Sequence, residues 1–288
     1  MMQSLIQYEF LQNAFITGII IGITAPVLGV FIVIRKMAMI ADALSHVTLS
    51  GITFSLLLGK YWSAFSMVSP LYGGMFFSVA GALLIEKFRS VYKHYEELAI
   101  PVIMSLGIGL GVVFISVADG FTTDLFGYLF GSVSAVSRTD LYVIIMISCI
   151  VLLAIIGLYK ELFILSFDEE YCRVSGIQSK FIHFVFIILV ALVIAVSMRI
   201  VGVLLVSSLM TLPVAASIRI AKSFWQTIIL SVIFGEIAVI IGLIAAFYLD
   251  IAPGGTIVVI SALILMITII FQKYKYHPEI NQFGKWKK

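Results

Sequence analysis

The sequence predicts an all-α, polytopic transmembrane helical bundle of eight or nine spans, with the N-terminus outside and the C-terminus cytoplasmic. Three observations carry that expectation. Of the 288 residues, 62 % are hydrophobic and only 11 % charged, where soluble domains carry roughly 25 % charged residues. The apolar residues gather in runs close to the roughly 20 residues a helix needs to cross a hydrocarbon core. Fifteen of the 18 Lys and Arg residues fall in alternate connections, with only Lys60, Arg138 and Arg199 on the other side, and this asymmetry orients spans with their basic loops in the cytoplasm. A net charge of +3 distributed this way gives no support to nucleic-acid binding.

Taken in order, the first apolar run, 13–34, ends in Arg35-Lys36, whereas a signal peptide carries its positive charges before the apolar core, so it reads as a retained span. Pro26 with Gly18, Gly22 and Gly29 makes it a kinked or close-packing helix. Runs at 38–58, 65–85 and 99–118 follow. The stretch 120–136, GFTTDLFGYLFGSVSAV, is too polar for a span and too apolar for a plain loop, and is expected as a re-entrant or interfacial piece. Runs at 141–159 and 181–198 come next. The weakest, 201–218, contains Pro213 among Ser and Thr, so a short or broken helix is expected there. The runs at 225–248 and 256–272 complete the set, with Ala252-Pro253-Gly254-Gly255 as a tight external corner between them. No linker or internal repeat divides the chain, and 1–288 reads as a single transmembrane domain. Cys149 and Cys172 form no metal-ligand spacing and are read as structural.

The functional candidate is Met37 to Gly51, MAMIADALSHVTLSG. Asp42 and His46 are four residues apart, and on a helix that spacing stacks two side chains on one face, roughly 5–6 Å apart. Ser45, Thr48 and Ser50 add hydroxyls nearby. An ionisable group in the hydrocarbon costs at least about 2.5 kcal/mol, so such residues usually face a pathway, a partner or a ligand. Counting from Lys36, Asp42 lies about 9 Å and His46 about 15 Å into the layer. Imidazole with carboxylate suits zinc, and also manganese or iron; a proton relay uses the same residue types. The bland reading is a hydrogen-bonded pair that pins two helices together.

Glu236 is the other acid deep in an apolar run, either a secondary pathway residue or a structural carboxyl. Arg199, at the outer end of its span, is expected to snorkel. His94, His183 and His277 fall in loops, helix ends or the tail and are expected to be solvated. The connection Lys160 to Lys180 mixes charges with Leu and aromatic residues. Asp168 can cap a short helix whose first turn holds Glu169 and Glu170, with Gly176 as the left-handed residue that ends it. Such an amphipathic helix either docks a soluble partner or lies on the headgroups.

Enzymatic readings fail for want of motifs: the chain has no HExxH, no GxSxG and no GxxxxGK[ST]. An ATP-driven process would need another polypeptide to bind the nucleotide. A secondary proton-coupled metal carrier is the alternative from another class, although the paired interrupted halves common in such carriers are not evident.

Four segments in order, PVLGVFIVIRKMAMIADALSHVTLSGI, FDEEYCRVSGI, VGVLLVSSLMTLPVAAS and PGGTIVVI, resemble the membrane permease subunit of ABC-type zinc/manganese importers, the ABC-3 family. The resemblance implies a multi-pass protein of the bacterial cytoplasmic membrane. It also implies a homodimer, paired with cytoplasmic ATP-binding cassette subunits and supplied by an extracytoplasmic metal-binding lipoprotein. It maps the family's metal-contacting acid and histidine onto Asp42 and His46, and its ATPase coupling loop onto Asp168, Glu169, Glu170, Arg173 and Gly176. No cofactor is implied as permanently bound; Zn2+ is the cargo that SHVTLSG resembles most, with Mn2+ and then iron as alternatives.

Overall fold

The computed structural model describes residues 8–92, 95–118, 120 and 123–276, and every regular element within them is helical. In chain order these are α1 (Glu9–Ile34), α2 (Ala38–Tyr61), the single turn α3 (Ser63–Ser66), α4 (Pro70–Val91), α5 (Ala99–Val117), α6 (Thr123–Phe130), α7 (Arg138–Gly157), α8 (Tyr159–Phe167), α9 (Glu169–Val174), α10 (Ser179–Val201), α11 (Val206–Ile218), α12 (Phe224–Leu249) and α13 (Pro253–Tyr276). Among the described residues, eight helices are long and apolar enough to cross a membrane. The runs read from the sequence correspond to these helices to within about five residues at each end, because hydropathy marks where a helix enters and leaves the hydrocarbon.

The helices are brought together by small residues, since lipid offers no hydrophobic drive between them and packing must supply the attraction. On α1, a methyl added to Gly18 would stand 2.6 Å from Leu243 Cδ1 of α12, and one added to Gly22 would stand 2.6 Å from Glu236 Oε1. Helix α2 lies between α4 and α5 in the same way. Gly74 abuts Ile52 and Thr48, Gly81 abuts Val47, and Gly107 of α5 abuts the Val47 backbone nitrogen at 2.9 Å from its missing Cβ. These contacts hold one face of α2 and leave its first turns to meet α11.

Helix α11 has 13 residues and contains Pro213, so the short element expected there is present. At about 20 Å it is shorter than a hydrocarbon core of about 30 Å. It nonetheless runs from one end of the bundle to the other. Its last residue is followed by Arg219, which donates to Gln272 near the end of α13 at 3.5 Å. Before its start, Val201 packs its carbonyl against Gly254 at the start of α13. The two helices are therefore parallel, with α11 a shorter apolar helix beside the eight candidate spans. The missing length is taken up by the turn after Gly202, whose φ of 83° belongs to glycine because a Cβ there would meet Leu129 O at 2.5 Å.

The stretch 120–136 supplies α6 and a 3-10 turn (Val133–Ala135), which close this end of the bundle rather than entering it. Val203 N–H donates to Tyr128 O at 2.9 Å and Ser132 N–H to Arg199 O at 3.2 Å, so the backbone polar groups of α6 and of the turn before α11 satisfy each other. At the opposite, basic end, Tyr159, Phe163 and Phe167 of α8 pack their rings on Phe224 at the start of α12.

Candidate functional site: the Asp42–His46 face

Asp42 sits on the second turn of α2, just after a corner that Lys36 forms at φ 57°. Its carboxylate is half-buried and accepts a 2.6 Å hydrogen bond from Ser207 Oγ. Ser207 is in the first turn of α11. Thr211 Oγ1 in turn donates to Ser207 O at 2.9 Å. His46, one turn further along α2, is half-buried and makes no hydrogen bond with a described residue. One acid is thus oriented, and one imidazole beside it has both nitrogens available.

The hydroxyls that the sequence placed near this pair do not reach it. Ser45, Thr48 and Ser50 are fully enclosed and donate to their own helix, to Ala41 O at 2.8 Å, Leu44 O at 2.6 Å and Val47 O at 2.7 Å. A hydroxyl in the interior of an apolar helix finds its nearest acceptor one turn back. The hydroxyl that does serve Asp42 comes from 165 residues away in sequence, and its signal was the Ser207-Ser208 pair ahead of Pro213 in the weakest apolar run.

Among the described residues, no three His, Cys, Asp or Glu side chains converge as a metal site. Among the described residues this face therefore offers two candidate ligands and not a closed cage. Glu236 does not join them. It lies on α12 against Gly22 of α1, with Oε1 buried and without a hydrogen-bond partner.

Two expectations are corrected. His183 is not solvated: its side chain is 14 % exposed, and it lies between Arg35, whose Nη2 is 2.7 Å from Nδ1, and Glu86, whose Oε1 is 2.8 Å from Nε2. Arg199 does not snorkel outward; it turns inward, pairing with Asp140 Oδ2 at 3.3 Å and lying 4.7 Å from the Tyr128 ring centroid. In both cases a polar partner on another helix is worth more than solvent reached along the side chain, and no local pattern announces such a partner. His94 and His277 lie outside the described residues.

The loop between α8 and α10 has the local geometry its sequence implies. Tyr171 N–H donates to Asp168 Oδ1 at 2.8 Å, Asp168 caps α9, and Gly176 follows that helix at φ 77°. Cys172 is buried, while Phe167, Tyr171, Val174 and Glu170 are exposed; the side chains of Glu169 and Arg173 lie outside the described part. The result is an apolar and acidic knuckle at the basic end of the bundle.

Residues 7–272 match the ABC 3 transport family. The manganese import system permease protein ScaB of Streptococcus parasanguinis is 35 % identical over 262 residues, covering 91 % of this chain and 90 % of that protein. A probable metal transport system membrane protein of Treponema pallidum is 33 % identical over 267 residues, covering 92 % and 96 %. Among solved structures, PsaBC from Streptococcus pneumoniae in complex with Fab superposes with a TM-score of 0.81 at 32 % identity, covering 93 % of both chains. By sequence and by fold, this chain belongs to the ABC 3 transport family and is a multi-pass membrane permease of metal ABC importers.

Proposed function

We propose that the Asp42–His46 face is the transit site for a divalent first-row metal ion, with the whole of 1–288 acting as one permease domain. The observation that carries this reading is the pairing of an oriented carboxylate with an uncommitted imidazole one helical turn away. Two ligands per chain become four when a second copy supplies the same pair across a twofold axis, a number that suits zinc and, with water added, manganese. An incomplete cage also suits cargo, because conduction needs binding weak enough to release.

The choice of metal rests on two different supports. SHVTLSG favours zinc by resemblance, while ScaB, a manganese import system permease protein by name, favours manganese; manganese has at least equal support. In this reading the basic end faces the cytoplasm, the knuckle of Asp168, Glu169, Glu170, Arg173 and Gly176 docks an ATP-binding cassette subunit, and an extracytoplasmic lipoprotein delivers the ion to the other end. The chain's lack of a phosphate-loop motif supports a separate ATPase over a self-sufficient carrier.

The test is radiometal uptake by vesicles holding the permease with its ATPase, comparing zinc with manganese. Asp42→Ala and His46→Ala each abolish uptake at unchanged membrane abundance. Ser207→Ala weakens it about tenfold, the usual effect of removing a group that orients a ligand. Uptake by both ligand variants equal to the parent's would leave the pair as a helix-pinning contact.

A further inference from the structure

We propose that His183 is a positioning residue for the metal-site helix, acting as a neutral ring that holds Arg35 in place and lets go of it on protonation. The inference rests on the reading of α2 as the helix that carries the transit site. Its starting point is which atoms can donate. A guanidinium has five N–H donors and no acceptor, so the 2.7 Å approach of Arg35 Nη2 to His183 Nδ1 is a hydrogen bond only if Nδ1 carries a lone pair. The ring proton then sits on Nε2, where it is donated to Glu86 Oε1 at 2.8 Å. That assignment makes the 3.2 Å approach of Arg89 Nη1 to Nε2 a contact between two donors, so Arg89 is held by Glu86 Oε1 at 3.2 Å and Glu96 Oε2 at 3.1 Å instead.

Position gives the arrangement its consequence. Arg35 is the residue that ends α1, and α2 starts at Ala38. Anchored through His183 to α10 and through Glu86 to α4, and stacked 5.5 Å from the Phe186 ring centroid, Arg35 fixes the corner from which Asp42 and His46 project. A second proton on the ring goes to Nδ1, the only nitrogen with a lone pair, and replaces an acceptor facing Arg35 with a donor and a like charge. Among the described residues the groups facing the ring are Arg35 from α1 and Glu86 and Arg89 from α4, with Glu96 beyond Arg89; Glu161 of α8, although its Oε2 is buried, makes no hydrogen bond to it. This hold on the corner is therefore present when the ring is neutral and lost when it is protonated.

Two measurements test this. In the purified full chain with 15N-labelled histidine, the signals missing from His183→Gln identify His183 among the four histidines; they should show the Nε2–H tautomer at neutral pH, and an Nδ1–H tautomer or a cation there would overturn the proposal. In the assembled transporter, His183→Phe fills the space without a hydrogen bond and should lower uptake about tenfold. His183→Gln, whose carboxamide can accept from Arg35 and donate to Glu86 without titrating, should keep uptake within about twofold of the parent and remove the part of its decline that acidifying the basic-end compartment causes. A glutamine variant with the parent's full acid sensitivity, or a phenylalanine variant with the parent's uptake, would sink it. The tautomer measurement does not involve metal, so failure of the transit-site reading and failure of this one are distinguishable.

Discussion

The two ends of the bundle are each closed by a cluster built around an arginine, and they differ in what surrounds it. At the Arg199 end, Asp140 is 4 % and Arg199 15 % exposed. The carboxylate is saturated by Ser69 Oγ at 3.2 Å on Oδ1 and by Ser137 Oγ at 2.7 Å on Oδ2, and Asp140 N–H donates back to Ser137 Oγ at 3.1 Å to complete a capping box. At the Arg35 end, Glu86 and Arg89 are each 27 % exposed, and a histidine is inserted between cation and carboxylate. The first cluster holds no histidine and its carboxylate is closed to water, so it is a fixed clamp across α4, α7 and α10. The second is a hinge, with an ionisable ring whose neighbours Glu86 and Arg89 are reached by water. Burial around a saturated carboxylate gives rigidity, and partial exposure around a histidine gives adjustability.

The largest expected effect is at the clamp. Arg199→Ala leaves Asp140 buried beside two serines and no cation, and removing one partner of a buried pair costs about 3–5 kcal/mol. The measurement is thermal unfolding of the detergent-solubilised chain followed by Trp fluorescence. Adding Asp140→Asn to Arg199→Ala should recover part of the loss, since the amide oxygen still accepts from Ser69 while the stranded charge is gone. Equal melting of Arg199→Ala and the parent would break the comparison, because the clamp would then hold nothing.

A middle effect is expected at the hinge. Glu86→Ala takes away the acceptor of the His183 Nε2–H and one partner of Arg89, but water reaches Glu86 and Arg89, so the loss is about 1–2 kcal/mol. Glu86→Gln keeps an oxygen for the ring and should cost less than about 1 kcal/mol. Measured by the same melts, a Glu86→Ala loss as large as that of Arg199→Ala would mean that exposure does not distinguish the two ends.

How much of this was legible in the sequence divides along the same line. The spans were legible, as was the short helix α11 that Pro213 signalled, because span length and hydropathy are local properties. The cap at Asp168 and the left-handed Gly176 were legible for the same reason. The face bearing Asp42 and His46 was legible because an i, i+4 pair is fixed by the helix itself. What escaped was every partner brought from elsewhere: Ser207 to Asp42 across 165 residues, Arg35 to His183 across 148, and Asp140 to Arg199. Buried polar groups must find a partner, but nothing in one helix says which other helix supplies it. Arg199 and His183 were read by the most common behaviour of their residue types, and both instead follow their partners.

The smallest expected effect sharpens the comparison from its exposed edge. Glu96 meets Arg89 Nη2 at 3.1 Å but is 51 % exposed, and it is the outermost member of the hinge. An ion pair of this kind gains little, because water and salt screen it and two long side chains lose freedom to form it; Glu96→Ala should cost no more than about 0.5 kcal/mol. That small loss should shrink further between low salt and about 0.15 M, where the screening length is about 8 Å. Arg199→Ala should show almost no such salt dependence, since ions do not enter its surroundings. Melts of both variants at two salt concentrations therefore order the clusters by access to solvent rather than by distance, and a Glu96→Ala loss that is large or indifferent to salt would show that the outer end of the hinge is as enclosed as the clamp.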